Sequence, residues 1–229
     1  MSNSSRCLVI FSGGQDSTTC LYWAKKNYAE VYAISFDYGQ KHIIELESAK
    51  KICELAKVTH YIADIGQVLS GTSPLVNPAF EVKSVTLEEA KLSQLQDTFV
   101  PGRNILFLTL AASFAYVNKI YDIVIGVSQE DYGGYPDCRQ DFIIAMEKAL
   151  RLGVGDNIKI ITPLINLNKK QTVEMANSLP GCMVALAYST TCYRGVNPPC
   201  NTCHACVLRS NGFRQANIAD PLLERISMN

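Results

Sequence analysis

The sequence predicts an α/β protein in which helices cover both faces of a doubly wound parallel sheet. Short apolar segments alternate with segments of helical periodicity along most of the 229 residues, which is the pattern of parallel strands joined by crossover helices. The first apolar segment also ends at Gly13 and Gly14, where a strand can turn sharply into a helix. We therefore expect ligands to bind beyond the carboxyl ends of the strands.

The predicted elements follow one another in a regular order. Apolar segments predict strands at residues 7–11, 31–36, 60–65, 123–127 and 158–161. Helical periodicity predicts helices that begin at Thr19 and Asn104, and helices over residues 43–56, 141–150 and 169–178. Residues 66 to about 101 are rich in Gly, Ser, Pro and Asn at their start, and we expect an insertion or lid there, with a helix over residues 87–96.

The composition limits the size of the core and the classes of partner. With 48% apolar and 18% charged residues, the chain can bury one sizeable core, or one core and a small appendage. Its 21 basic residues balance 21 acidic ones, which favours a small substrate over a nucleic acid. The apolar run at residues 105–117 is shorter than the ~20 residues that span a bilayer, and the first residues lack the pattern of a signal peptide. We expect a cytoplasmic protein with no membrane partner.

The segment SGGQDST at residues 12–18 is predicted to bind a phosphate chain. It stands between the first strand and the first helix, where glycine lets the backbone approach a ligand and the helix N-terminus attracts an anion. A Walker-type loop would contain a lysine, but Asp16 and Ser17 take that place. An acid is useful there if it holds a metal that bridges the phosphates. The alternative is an ordinary turn rich in Gly, Ser and Asp.

Two further segments place charged residues at the starts of predicted helices. Lys41 is a candidate partner for a phosphate, with Glu45 one turn further along the same helix face, although a solvated ion pair at a capped helix start explains both residues equally well. His42 between them is as suited to a helix-start hydrogen bond as to a general base. Arg103, in PGRN, can meet an anion with a bidentate guanidinium, and the alternative is a surface arginine.

A polar and aromatic segment follows the strand predicted at residues 123–127. Loops in this position of a doubly wound sheet contact the substrate. The segment offers aromatic stacking faces, a hydrogen-bond acceptor and a guanidinium to a flat heterocycle. The candidate substrate contacts are Tyr132, Tyr135, Asp137 and Arg139.

Four of the nine cysteines cluster near the C-terminus with the spacing C-x7-C-x2-C-x2-C: Cys192, Cys200, Cys203 and Cys206. Four thiolates suit tetrahedral zinc in a closed, structural site, although an iron–sulfur cluster is the alternative and His204 could replace one ligand. The odd number of cysteines and the absence of an export signal favour reduced thiols. The scattered cysteines are expected to pack in the core: Cys7, Cys20, Cys53, Cys138 and Cys182.

Taken in order, FSGGQDSTTCL, YGQKH followed by EL, PGRN, GYPDCR and CxxCxxC resemble the 7-cyano-7-deazaguanine synthase family of the PP-loop ATP pyrophosphatase superfamily. The resemblance covers residues 6 to about 215. It implies an adenine nucleotide alpha hydrolase-like, Rossmann-like fold and a ligase that forms C–N bonds in queuosine biosynthesis. It implies 7-carboxy-7-deazaguanine, ammonia and ATP as substrates, Mg²⁺ and one Zn²⁺, and a homodimer. The acid would be adenylated, converted to an amide, and adenylated again to give the nitrile.

The resemblance and the motifs together define the expected site and domains. We expect Asp16, Lys41 and Arg103 to be the catalytic residues. The expected ATP-binding residues run through the loop into the first helix: Phe11, Ser12, Gly13, Gly14, Gln15, Asp16, Ser17, Thr18, Thr19, Cys20 and Leu21. A PP-loop domain is predicted at residues 1–185, with a zinc-binding segment at residues 186–229 packed on it.

Four other functions stay open at the level of sequence. A PP-loop enzyme that adenylates a tRNA base, of the thiolase or lysidine type, would need a basic surface that the neutral charge does not indicate. A paralogue of the same family could act on another carboxylate. A nucleotide sensor or a zinc-ribbon binding protein would bind its ligand without turnover.

Overall fold

A five-stranded parallel sheet forms the centre of the computed structural model, within the residues it describes: 5–40, 44–69, 71, 73–91, 97–129 and 135–228. The strands are β1 (Arg6–Ile10), β2 (Glu30–Asp37), β3 (Thr59–Asp64), β4 (Asp122–Val124) and β5 (Lys159–Ile161). The strand order β3-β2-β1-β4-β5 and the parallel pairing of every neighbouring pair confirm the predicted doubly wound fold class.

Helices cover both faces of this sheet. They are α1 (Gln15–Asn27), α2 (Ile44–Ala56), α3 (Leu87–Lys91), α4 (Arg103–Val117), α5 (Gln140–Gly153), α6 (Lys169–Ser178), α7 (Cys182–Leu186), α8 (His204–Ala216) and α9 (Pro221–Ser227). Successive residues of β1 point to opposite faces. Cys7 and Val9 therefore join an apolar cluster with α1, α2, α6 and α7, whereas Leu8 and Ile10 join a second cluster with α4 and α5.

The connections create a crevice beside β1. The chain runs outward from β1 through β2 to β3, and then returns to place β4 on the other side of β1. Loops that follow β1 and β4 therefore diverge to opposite faces, which opens the crevice where doubly wound sheets bind their ligands. The predicted phosphate loop follows β1, and the predicted substrate loop follows β4.

Several element boundaries differ from the sequence-based predictions. Helix α1 begins at Gln15 rather than Thr19, because Gly14 takes extended backbone angles as the N-cap and the helix starts directly after it. Strand β4 ends at Val124, three residues before the predicted end. The helix predicted at residues 87–96 is formed at Leu87–Lys91, and residues 92–96 lie outside the described part. The sequence analysis did not predict α7, α8 and α9.

A buried ion pair fixes the C-terminal helices. Arg209 donates from Nε and Nη2 to the two carboxylate oxygens of Asp220, at 2.7 and 2.8 Å, and both side chains are buried. Its Nη1 donates to the hydroxyls of Ser189 and Thr191, each at 2.8 Å. Pairing and hydrogen bonding offset the cost of burying the two charges. The result is that α8, the start of α9 and residues 189–191 are held together.

No helix within the described residues is long and apolar enough to span a membrane.

Candidate functional site

The loop after β1 is held by backbone contacts. Gly13 has φ +77, and a Cβ there would lie 2.7 Å from the Ala49 backbone nitrogen and 2.8 Å from the Glu45 backbone oxygen, so this residue must be small. The Thr190 N–H donates to the Gly13 carbonyl at 3.0 Å. Ser17 Oγ accepts from the Ser12 N–H at 3.3 Å. The loop is therefore shaped before any ligand arrives.

The first turn of α1 holds buried polar atoms that lack a partner within the described residues. They are both amide atoms of Gln15, Oδ1 of Asp16 and Oγ1 of Thr18. Gly14 is the N-cap and supplies no side-chain cap, so the first N–H groups of α1 present a site suited to an anion. Unpaired buried polar groups cost free energy, and a bound ligand that pairs with them recovers it.

A cavity of about 300 Å³ opens at the switch point, lined by the loops after β1 and β4 and by α2, α4, α6 and α8. That volume lies at the lower end of the range for small-molecule sites. Gly126, beyond β4, lies so close to α1 that a Cβ there would be 3.1 Å from the Ser17 nitrogen. The cavity therefore has the first turn of α1 as one wall.

The structure divides the predicted catalytic, ATP-binding and substrate-binding residues into three groups. Eight line the cavity: Phe11, Ser12, Gly14, Gln15, Asp16, Ser17, Arg103 and Tyr135. Among the described residues, seven others lie outside its lining: Gly13, Thr18, Thr19, Cys20, Leu21, Asp137 and Arg139. Lys41 and Tyr132, together with His42, lie outside the described residues.

The residues outside the lining have identifiable positions. The interior of α1 from Thr18 to Leu21 is buried against the sheet. The Asp137 carboxylate accepts from the Asn104 N–H at 3.4 Å, and burial raises its pKa, with Arg103 acting in the opposite direction. Arg139 is the N-cap residue of α5. Asp137 therefore braces the start of α4, and its contact with the substrate stays a prediction.

Lys169 is a cavity residue that the sequence analysis missed. Its Nζ lies 2.6 Å from Asp16 Oδ2, although 153 residues separate the two. Lys169 opens α6, where Asn168 and Gln171 form a reciprocal capping box. A Cβ on Gly212 of α8 would lie 2.9 Å from Cβ of Lys169. The sequence analysis predicted the helix start at residue 169, but no local signal shows that this lysine reaches the loop.

A cationic centre lies across the cavity, at the start of α4. Burial lowers the pKa of the Arg103 guanidinium, yet the hydroxyls of Tyr38, Tyr193 and Tyr135 outweigh that effect and raise the pKa above its usual range. Arg103 is therefore cationic at any working pH. The ring of Tyr38 lies 5.3 Å from the ring of Phe107, centroid to centroid, so the cavity joins a charge to aromatic surfaces.

Glu45, in the first turn of α2, also lines the cavity. Removal from bulk water raises the pKa of its carboxyl to about 7, although the Arg103 guanidinium acts to lower it. A carboxyl with such a pKa exchanges its proton near neutral pH.

The four predicted metal ligands are brought together. The Sγ atoms of Cys192, Cys200, Cys203 and Cys206 all lie within 4.8 Å of one another. Tetrahedral thiolates about 2.3 Å from one zinc ion stand about 3.8 Å apart, so the cluster needs little contraction to hold such an ion. The N–H groups of Cys200 and Cys203 donate to Sγ of Cys192 and Cys200, at 3.5 and 3.3 Å.

Hydrogen bonds within the cluster shift the pKa values of two of its thiols in opposite directions. Those with Cys203 and Cys206 hold the pKa of Cys192 far below its usual range, whereas hydrogen bonds with Cys192 and Cys203 raise the pKa of Cys206. His204 is not part of the cluster, since its Nε2 lies 3.2 Å from the Ala90 carbonyl oxygen. The structure therefore gives no support to His204 as a replacement ligand.

The cysteine cluster is continuous with the cavity wall. Thr190, Thr191 and Tyr193 line the cavity immediately beside Cys192, and the Thr190 hydroxyl lies 2.5 Å from that of Ser48 in α2. Arg194 donates to the Val82 carbonyl at 3.0 Å. Part of the predicted insertion therefore packs against the cysteine segment.

The fold and the site together define an α/β protein that presents an open helix N-terminus at the switch point of its sheet, beside a candidate metal centre. Residues 6–217 match the family described as queuosine biosynthesis protein QueC. The chain therefore belongs to the QueC family.

Curated relatives agree with this assignment over nearly their whole length. The chain is 48% identical to the 7-cyano-7-deazaguanine synthase of Laribacter hongkongensis over 225 residues, which cover 96% of this chain and 95% of that protein. It is 45% identical to the enzyme of the same name from Chromobacterium violaceum, over 97% of this chain and 95% of that one. The predicted family and its activity as a 7-cyano-7-deazaguanine synthase, a ligase of queuosine biosynthesis, are confirmed.

One solved structure shares the fold at low sequence identity. It is a 4-thiouridine synthetase in complex with RNA and bound ATP, with a TM-score of 0.50 and 13% identity over 97% of this chain and 52% of that chain. A likeness at this identity shows the fold alone.

Proposed function

We propose that this chain converts 7-carboxy-7-deazaguanine and ammonia into 7-cyano-7-deazaguanine, using two molecules of ATP at one site. The observation that supports this most strongly is the family match over residues 6–217, in a chain whose phosphate-type loop opens into a cavity with a cationic centre opposite. The loop suits a phosphate chain, and Arg103 suits the acid that is to be activated.

The reaction requires activation because a carboxylate would have to expel oxide when ammonia attacks. Adenylation makes AMP the leaving group instead. The open N-terminus of α1, with Ser12 and Ser17 beside it, would hold the departing pyrophosphate through N–H groups and hydroxyls that are already in place. Preorganised donors of this kind stabilise developing charge without reorganisation.

Asp16 and Lys169 are proposed to act together on the phosphates. Asp16 Oδ1 is buried and lacks a partner within the described residues, while Oδ2 pairs with Lys169. An oxygen ligand of this type fits Mg²⁺, which when bound would neutralise phosphate charge. Lys169 would supply the positive charge that a Walker lysine supplies in other loops. Lys41 stays a predicted catalytic residue.

Arg103 is proposed to pair with the substrate carboxylate, and Tyr135 to contact the heterocycle. Asp137 is proposed to act indirectly, by holding Asn104 at the start of α4. Tyr132 and Arg139 stay predicted substrate contacts.

Zinc is the metal that fits the four cysteines best. All four sulfurs can reach a single ion at their observed separations. An iron–sulfur cluster is larger than one ion and would require the four thiolates to stand further apart. A four-sulfur site leaves no open position for substrate, so its proposed role is to pin residues 190–193 to the cavity. The boundary at residues 185 and 186, the homodimer and the cytoplasmic location remain predictions.

The test is mass-detected turnover of metal-loaded protein with 7-carboxy-7-deazaguanine, ATP and ammonium. We expect the amide to appear first and the nitrile later. Folded protein that forms neither product would contradict the proposed substrate. Asp16→Ala is the companion variant: it is expected to abolish AMP formation and to leave zinc content unchanged, since Asp16 and the cysteines occupy separate sites.

A further inference from the structure

We propose that Glu45 is the general base of this reaction, and that it takes the proton from nitrogen when the amide forms and again when the nitrile forms. This inference rests on the proposed function. The phosphate loop helps to turn an oxygen of the substrate into a leaving group. It does not account for the group that removes protons from nitrogen, which must happen in both rounds.

The position of Glu45 is fixed relative to the phosphate loop. Its backbone oxygen would stand 2.8 Å from a Cβ on Gly13, so the first turn of α2 is in close contact with the loop. Its side chain lines the same cavity as Gln15, Asp16 and Ser17. A base carried on a helix in contact with the loop keeps its distance to the bound phosphates.

Glu45 also lies beside the group proposed to bind the acid. Arg103 is near enough to lower the pKa of the Glu45 carboxyl, and Tyr38 stands within the electrostatic reach of both. A substrate carboxylate paired with Arg103 would therefore place its carbonyl carbon in the cavity that the Glu45 side chain also lines. Ammonia that attacks this carbon brings its N–H groups to the Glu45 carboxylate.

The environment suits a base that works near neutral pH. Tyr38, which follows β2, lies within electrostatic reach of Glu45. The other titratable groups that line the cavity with Glu45 and Arg103 are Asp16, Lys169, Tyr135, Cys138, Tyr193 and His204. Withdrawal from water outweighs the opposing effect of Arg103, and the resulting pKa of about 7 allows the carboxylate both to accept a proton and to release it.

The proton balance requires such a group three times. In the first round ammonia forms a C–N bond to the acyl adenylate, the C–O bond to AMP breaks with its electron pair, and the nitrogen gives one proton to Glu45. In the second round the amide oxygen attacks the α-phosphorus of ATP and pyrophosphate leaves. The nitrogen of the resulting O-adenylated amide then loses one proton, and loses a second as the C–O bond to AMP breaks and C≡N forms. Glu45 returns each proton to solvent.

The experiment compares Glu45→Gln with Glu47→Gln, which changes an exposed carboxylate on the same helix. Acid-dependent exchange of labelled pyrophosphate into ATP measures adenylation, and mass detection measures amide and nitrile. We expect Glu45→Gln to keep exchange within about twofold and to slow both amide and nitrile formation roughly 10²–10⁴-fold, the usual contribution of a general base. Glu47→Gln is expected to leave all three rates unchanged.

The pH profile gives an independent readout. With the concentration of free ammonia held constant across the pH range, the rate of amide formation by the unmodified protein is expected to rise as pH increases through about 7, where Glu45 becomes ionised. This limb should be absent in Glu45→Gln and retained, at a lower rate, in Glu45→Asp.

Two results would overturn the inference. Equal losses of exchange and amide formation in Glu45→Gln would make Glu45 a binding residue, and an unchanged rate of amide formation would exclude it as the base. If the unmodified protein itself showed no acid-dependent exchange, the proposed function would fail before Glu45 is tested. A thermal melt of each variant separates loss of fold from loss of chemistry.

Discussion

The phosphate loop at residues 12–18 and the cysteine segment at residues 192–206 each lead into a helix N-terminus, yet they are completed in different ways. The loop is shaped by contacts within the chain, such as the Gly13 backbone against α2. Its buried Gln15 amide atoms and Asp16 Oδ1 have no hydrogen-bond partner among the residues that the structure describes. The cysteine segment instead gathers four thiols that cannot all carry charge without a cation. The difference indicates that the loop is built for a ligand that comes and goes, and the cysteines for an ion that stays.

The largest effect is expected from Cys203→Ser, which breaks the cysteine side of this comparison. The variant should lose its metal and several kcal/mol of unfolding free energy, because structural zinc contributes ~10–16 kcal/mol in zinc-finger peptides. Metal analysis and thermal melts measure the two effects. Cys138→Ser, at a thiol outside the cluster, is the matched control and should keep its metal. Full metal content in Cys203→Ser would contradict the assignment.

A smaller effect, confined to the loop, is expected from Lys169→Ala. The variant lacks one positive charge beside the phosphates. It should therefore slow the cleavage of ATP to pyrophosphate about 10²–10³-fold, the size of effect seen when one transition-state donor is removed. Zinc content should not change. Lys170→Ala is the matched control, because Lys170 is its neighbour and pairs with Glu174 on the exposed side of α6. Equal rates in the two variants would show that Lys169 is not a phosphate ligand.

The smallest of the three effects is expected from Gly13→Ala, which tests whether the loop is shaped in advance. Positive φ and the contact with Ala49 should together cost about 1–3 kcal/mol and raise the KM for ATP. Gly71→Ala is the control, since a Cβ there meets no atom within 4 Å among the described residues. A Gly13→Ala variant as stable and active as the control would mean that the loop adapts to its ligand.

The sequence predicted the four cysteines together, but it predicted only part of the site around the phosphate loop. The loop and the four cysteines were identified because their chemistry lies in contiguous residues: glycines next to Asp16, and thiols at short spacing. Lys169 was missed because the fold, and no local pattern, brings it to Asp16 from 153 residues away. Glu45 was noticed as a partner for Lys41, but the burial that raises its pKa arises only in the folded cavity, which Arg103 of α4 also lines.

The C-terminal helices show a second limit of sequence analysis. Helix α8 buries Arg209 and Asn211 among its apolar residues, which weakens the periodicity that would have predicted it. Burial of Arg209 is stabilised by Asp220, which lies eleven residues away in another element. The pairing that offsets the burial of Arg209 can be recognised only in the folded structure, where both helices have known positions.

The nucleotide products formed during turnover test the central claim most directly. The account holds that the loop at residues 12–18 retains pyrophosphate while an adenylyl group passes to the substrate. We predict AMP and pyrophosphate in equal amounts, two of each per nitrile, with no acid-dependent ADP. ADP and inorganic phosphate as the products that accompany nitrile formation would contradict it.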